Sequence, residues 1–156
     1  MSASKMFGPR TTARSQALQL LFQAEALGRT VDDVLAGDYA LDEGPLDEYG
    51  EELARGVDGM RHELDAVIAR FSHAWSIGRM PAVDRNLMRI ALYEMTCVDD
   101  VETAVAIDEA VELAKAYGSD DDTSRFINGL LGRVAADIAA GADLFGTDDE
   151  VQEGGE

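Results

Sequence analysis

The chain of 156 residues holds one cysteine, three prolines, two histidines and few aromatics, and each scarcity excludes something. A single thiol, Cys97, makes an internal disulfide or a multi-cysteine metal site impossible. Flanked by Met95, Thr96 and Val98, it is expected as a buried, unreactive side chain. His62 and His73 stand eleven residues apart, with no cysteine nearby and no His-Glu-x-x-His spacing, so a transition-metal site is not expected. No apolar run reaches the ~18 residues of a membrane span. Met1 to Arg10 lack the apolar stretch of a signal peptide, so the expected compartment is the cytoplasm.

Positive charge is also scarce. Thirteen Lys and Arg stand against 31 Asp and Glu, for a net charge of −18. Such a balance alone disfavours nucleic acid, because an acidic surface repels phosphate. The charge is unevenly spread, however. Residues 1–29 carry Lys5, Arg10, Arg14 and Arg29 against Glu25, a local net of +3, which leaves −21 for the rest. Residues 30–58 hold ten acids against Arg55, and beyond Arg133 there are seven acids and no Lys or Arg. The chain is a basic head on an acidic body.

What is present is helical periodicity. Apolar residues make up 46% and are mainly Ala, Leu, Val and Ile, a composition that suits helices. Ala17, Leu20, Leu21, Ala24 and Leu27 form one stripe of a first helix over roughly 11–27, with Gly28 as its stop. Val31 to Gly37 reads as a short second helix, and Asp42 to Pro45 as a loop with Pro45 near the next helix start. Leu46, Tyr49, Leu53 and Val57 mark a third helix. Leu64, Val67, Ile68, Phe71 and Trp75 mark a fourth, or a continuation broken near Gly56 and Gly59. Gly78 to Pro81 is a turn. The segment from Val83 to Met95 is apolar on most sides, as a central buried helix is. Asp99 or Asp100 is expected to cap the next helix, with the stripe Ala104, Ile107, Val111 and Ala114 and a stop at Gly118. A last helix carries Phe126, Ile127, Leu130, Leu131, Val134 and Ile138. No repeat or strand pattern is found. The fold class is all-α with about seven helices. The expected organisation is a flexible basic N-terminus at 1–9, one helical domain at 10–140 and a disordered acidic tail at 141–156.

Catalytic chemistry is not evident. Gly129 and Gly132 lie inside an apolar helical pattern rather than a phosphate loop. Glu94, Asp108, Glu109 and Glu112 lack the Glu-x-x-His spacing of helical carboxylate metal sites. Asp120, Asp121 and Asp122 lack the alternation and distal Glu of a calcium loop, and N-terminal capping accounts for them better. A binding surface remains. Arg10 and Arg14 are four residues apart and share one helix face, with Gln19 near the same side. Guanidinium groups hold phosphate and stack on unpaired bases. A solvated helix start would look the same.

The order of several motifs narrows the reading. "ARSQALQLLFQAE", Ala13 to Glu25, "PAVDRNLMRIALYEM", Pro81 to Met95, and "VAIDEAVELAKAYG" with "RFINGLL", Val105 to Leu131, occur in this sequence and spacing. Together they resemble the NusB family over roughly residues 10–139. The resemblance implies an all-helical fold of two small bundles without catalysis or cofactor. It implies binding of a boxA-type single-stranded RNA from ribosomal RNA leaders, jointly with NusE, a small-subunit ribosomal protein, within the RNA polymerase antitermination complex. It leaves homodimerisation open.

Residue by residue, the resemblance implies RNA contacts at Arg10, Arg14, Gln19, Asp122 and Phe126, and a NusE side at Phe22 and Asp84. Thr11 and Thr12 lie where some relatives have further arginines. Three of these positions have an equally simple structural reading: Asp122 as a cap, Phe126 as core, and Asp84 as a helix N-terminal charge. Two functions therefore compete, an RNA-binding antitermination adaptor and a helical module that binds NusE without RNA affinity of its own. RNA cytosine methyltransferases carry a similar N-terminal domain, but no Rossmann-type pattern occurs in these 156 residues, so an adaptor rather than an enzyme is expected.

Overall fold

Gly8 and Pro9 set where the first helix begins. Proline at the first helical position costs no hydrogen bond, because that N–H would be unpaired anyway, and α1 runs Pro9–Leu27. The computed structural model describes residues 8–73 and 75–146. Most of the expected basic N-terminus and the residues from 147 onward lie outside that range, whereas Pro9 is helical rather than part of a flexible arm. At the other end of α1, Gly28 adopts φ 65°, and Arg29 N–H donates to Ala24 O at 2.9 Å. This left-handed turn is the stop that glycine provides without strain.

The other elements follow in order. They are α2 (Val31–Ala36), α3 (Glu48–Gly59), α4 (Arg61–Phe71), a short 3-10 turn (Ile77–Arg79), α5 (Ala82–Cys97), α6 (Thr103–Ala116) and α7 (Asp121–Ala139). All the described elements are helical. Thr30 and Asp33 form a reciprocal capping box at α2. Asp47 caps α3, and Asp120 caps α7 by accepting from Thr123 N–H at 2.8 Å. The chain breaks at Met60, so α3 and α4 are separate helices. Trp75, placed in the fourth helix by its spacing, lies beyond the end of α4 at Phe71.

Helices α1, α2 and α3 pack together, as do α4, α5, α6 and α7, and α5 also lies against α1 and α3. One continuous core joins the two groups, from Leu18, Leu20 and Leu53 through Leu87, Met88 and Leu92 to Ile127, Leu130 and Leu131. The central position read for Val83 to Met95 is thus occupied by α5, with Leu87 to Leu92 all buried. Its buried polar residues are paired. Arg89 donates to both Asp65 oxygens at 2.6 and 2.9 Å, and Asn86 donates to Glu25 at 3.0 Å. On α1, buried Gln16 fixes the loop before α3, donating to Pro45 O at 3.0 Å and accepting from Asp47 N–H at 2.9 Å.

Four expectations need correction. The start of α6 is capped by Glu102 without a side-chain bond, not by Asp99 or Asp100. Its buried face is Ala106, Ala110, Leu113 and Ala114, so the helix is rotated from the expected stripe and leaves Ala104 and Val105 exposed. Cys97 is exposed, because α5 runs out of the core at its last turn. The expected tail does not begin at 141. Residues 141–146 turn back onto the core, where Leu144 is 7% exposed and its carbonyl accepts from Arg70 at 2.8 Å.

Candidate nucleic-acid interface

The face that carries the sequence-derived site is built from α1, α5, α6 and the start of α3. Its floor is a network of charges. Arg14 is only 4% exposed. Its Nε donates to both oxygens of Glu94 at 3.0 and 2.8 Å, and its Nη1 donates to Glu109 at 2.8 Å. Glu94, on α5, also accepts from the Tyr49 hydroxyl. Burial and that carboxylate push the Tyr49 phenol well above its ordinary range. Thr11 donates to Glu109 at 2.5 Å, so one of the two threonines at the arginine-poor start of α1 is itself part of the network.

Arg10, one turn earlier, lies at the rim. Its guanidinium sits 4.0 Å above the centre of the Tyr49 ring and pairs with Asp100 at 3.3 Å, with nearly half of the side chain in solvent. A cation stacked on an aromatic face and held by an exposed carboxylate is oriented yet accessible. The two arginines that the sequence places on one face therefore separate by depth. Arg10 is reachable by a phosphate. Arg14 lies buried beneath that rim, with its Nε and Nη1 engaged by Glu94 and Glu109.

Gln19 is half-buried and also engaged. It donates to Tyr117 OH at 2.9 Å and to Ser15 at 3.2 Å, and accepts from Asp42 N–H at 2.8 Å. Tyr117 in turn meets Ser15 at 2.6 Å, tying the end of α6 to α1. Beside this contact is a mostly apolar hollow of about 230 Å³, bordered by Leu18, Phe22, Val83 and Tyr117. Phe22 is 45% exposed over it, an unusual position for so large an apolar ring.

Asp84 lies next to that hollow in sequence but is 3% exposed, and it accepts from Ser119 Oγ at 2.5 Å. The turn after α6 covers it. Asp84 is a buried acid in the first turn of α5. Burial raises its carboxyl above the ordinary range, opposed by the Ser119 bond and reinforced by Asp120.

The α7 residues form a second group. Asp122 is exposed and pairs with Arg125, while Asp120 performs the capping. Phe126 is half-buried and meets Trp75 edge-on, with ring centres 5.0 Å apart. Asp122 and Phe126, four residues apart, share a face of α7. The described contacts join Arg14 and Gln19 to α6 or its end, Arg10 to Tyr49 and to Asp100 in the turn before α6, and Phe126 to Trp75; they do not link the two groups directly. Sequence reasoning missed Tyr49, Glu109 and Tyr117, which organise the first group. Only Tyr49 offered a signal, as an aromatic on the third helical stripe.

Among the described residues, no group of three or more His, Cys, Asp or Glu side chains is placed to hold a metal ion. No described helix is long and apolar enough to cross a membrane.

The model of the NusB family matches residues 11–136. The chain belongs to the NusB family. It is 48% identical over 129 residues to transcription antitermination protein NusB of Salinispora tropica, covering 81% of this chain and 94% of that protein. Identity to transcription antitermination protein NusB of Bacillus subtilis is 39%, over 83% of this chain and 96% of the relative. The solved NusB of T. maritima superposes with a TM-score of 0.70 at 32% identity, covering 83% of this chain and 92% of that one. A crystal structure of antitermination factors NusB and NusE in complex with dsRNA shares the NusB fold, with a TM-score of 0.65 at 24% identity over 80% of this chain and 94% of that one.

Proposed function

We propose that this chain is a transcription antitermination factor that holds a boxA-type single strand of ribosomal RNA leaders together with NusE and joins the elongating RNA polymerase. It works by binding, not catalysis, and its place is the cytoplasm, where transcription occurs. Relatives covered over nearly their whole length are transcription antitermination proteins, and a protein of the same fold forms a complex with NusE and RNA.

The observation that carries the reading is the pairing of two different surfaces along α1. At the start of the helix Arg10 is exposed, oriented and charged, which suits a phosphate. Further along, Phe22 overhangs an apolar hollow, which suits a protein side chain. RNA takes the first, with Asp122 and Phe126 as further contacts, and NusE takes the second. Gln19 lies between them and, like Arg14, acts by holding neighbours in place.

A second reading has its own support. With Arg14 buried and the chain at −18, the head offers fewer phosphate contacts than its charge suggests, which favours a NusE-binding module without RNA affinity of its own. Titration of a boxA-type single strand, with and without NusE and over a range of salt, separates the two. The proposed factor binds RNA more tightly with NusE present, and log affinity falls with log salt by about 0.7 per phosphate neutralised. RNA that stays unbound at low salt with NusE present would establish the second reading instead.

A further inference from the structure

Ser124 lies in the second turn of α7 and is 4% exposed. Its Oγ has no hydrogen-bond partner, alone in this among the buried side-chain oxygens and nitrogens of the described residues. A helical serine usually returns its hydroxyl to a carbonyl of the preceding turn, and an unmet buried hydroxyl is costly. Ser124 borders a groove of about 460 Å³ between α6 and α7. That volume falls in the roughly 300–1,000 Å³ range of small-ligand sites.

Val111 gives the groove an apolar patch, and the side chains around it are polar. Lys115 from α6 and Arg125 from α7 stand on its borders, with side chains 52% and 72% exposed. Among the described residues, each is paired only with a carboxylate three residues away on its own helix, Glu112 at 3.9 Å for Lys115 and Asp122 for Arg125. Such surface pairs contribute little and exchange readily for a phosphate. Asn128 presents an exposed side-chain amide that makes no hydrogen bond within the described structure. At Gly129 the α7 backbone is uncovered, and an added Cβ there would meet only the Arg133 guanidine, at 3.5 Å. Asp121 adds one acceptor at the border. Two exposed cations, an amide, an unmet hydroxyl, a carboxylate acceptor and an open strip of backbone match a nucleotide. The cations take its phosphate, and the polar groups take the edge of its base.

We propose that the α6–α7 groove is a nucleotide subsite for the RNA strand, in which Asn128, joined by Ser124 once its shielded hydroxyl turns toward the groove, hydrogen-bonds a base edge and Lys115 and Arg125 hold the adjoining phosphate. This rests on the RNA-binding reading given above and adds a subsite to it. Aromatic side chains do not border the groove, so the base is recognised there by hydrogen bonds rather than by stacking. The start of α7 then serves the strand on two faces, with Asp122 and Phe126 on one and the groove on the other.

The test uses the full chain with NusE and a boxA-type single-stranded RNA, titrated at several salt concentrations. Ser124→Ala, Asn128→Ala and Lys115→Ala are compared with the unmodified protein and with Arg10→Ala. Asn128→Ala and Lys115→Ala are expected to weaken RNA binding about ten-fold each, and Lys115→Ala to flatten the salt slope by about 0.7. Ser124→Ala should weaken RNA binding while thermal stability stays equal or rises, since it removes an unmet hydroxyl. NusE binding should survive all three. If the groove variants bind RNA like the unmodified protein while Arg10→Ala weakens it, the subsite is overturned and the RNA-binding reading stands. If the unmodified protein fails to bind RNA even with NusE at low salt, both fall.

Discussion

Arg14 presents its Nε to both carboxylate oxygens of Glu94, at 3.0 and 2.8 Å, in a site where both side chains are almost wholly shielded from water. The pair joins α1 to α5, and Glu109 extends it to α6. Removing one partner of a buried pair leaves the other charge uncompensated, at a cost of about 3–5 kcal/mol. Arg14→Ala is therefore expected to lower the midpoint of thermal or denaturant unfolding markedly, and RNA affinity with it. A variant as stable as the unmodified protein but deficient in RNA binding would return Arg14 to the role of a direct contact.

Arg10→Ala should behave in the opposite way. The side chain is nearly half exposed, and its pair with Asp100 is a surface one, so stability should change by less than ~1 kcal/mol. RNA affinity should fall, and the salt slope should lose about 0.7, the share of one single-strand phosphate. Titrations at several salt concentrations, set beside an unfolding curve, read both effects from one preparation.

Phe22→Asp tests the apolar hollow. The ring is 45% exposed, so its loss should leave folding almost intact, whereas a charge over Leu18 and Val83 should oppose an apolar partner surface. NusE affinity is expected to drop at least ten-fold, with RNA affinity in the absence of NusE unchanged. Equal NusE binding by both proteins would move the partner site elsewhere.

Glu25 and Asp84 should give pH effects of opposite sign. Burial raises the Glu25 carboxyl, but hydrogen bonds from Arg85 and Asn86 and the charges of Arg85 and Arg89 outweigh it and leave it below its ordinary value. Its contribution is present above the unfolded carboxylate range and is lost as pH falls through the lowered folded value. Asp84 is raised by burial, so ionising it costs stability once pH rises from the unfolded value, about 3.9, through the raised folded one. At neutral pH, Glu25→Gln should destabilise and Asp84→Asn should stabilise. Both differences should shrink as the solution is acidified, as read by denaturant unfolding across the acid range.

Gly50 lets α3 lie close against α1. A Cβ there would stand 2.9 Å from the carbonyl oxygen of Ala13 and 3.1 Å from Gln16 Oε1. Because the obstacle includes backbone, Gly50→Ala should force the helices apart and cost about 1–3 kcal/mol. At Gly56→Ala the nearest obstacle is the far end of the half-buried Tyr93 ring, a side chain rather than backbone, which can swing aside, so the smaller loss should occur there.

Much of this architecture was legible in the sequence, because helices announce themselves by period and stop signal. The stripe Ala17, Leu20, Leu21 and Ala24 and the turn at Gly28 gave α1 to within two residues at its start. The near-uniform apolarity around Leu87 to Leu92 marked α5 as central. Depth was not legible. Spacing placed Arg10 and Arg14 on one face, but which of them was buried depended on Glu94 and Glu109, some 80 and 95 residues further along. Asp84 was hidden for the same reason, by Ser119 from a distant turn. The rotation of α6 was missed because Ala104, Ile107 and Val111 make as regular a stripe as the Ala106, Ala110 and Leu113 that are actually buried. Leu144 was missed because an isolated leucine in an acidic, glycine-rich stretch has no period to announce it.

Glu94 has one more consequence. A single carboxylate of α5 grips Arg14 of α1 and Tyr49 of α3 at once, so the leading turns of α1 cannot fray without undoing a knot shared by three helices. The Arg10 rim and the Phe22 hollow are the two ends of the helix so tied. An occupant of the hollow adds its binding energy to the unit that carries the rim, and suppresses the openings in which Arg10 would lose its perch. Two ligands on this scaffold can thus favour each other with no change of shape, each merely finding the other's half of α1 already held still.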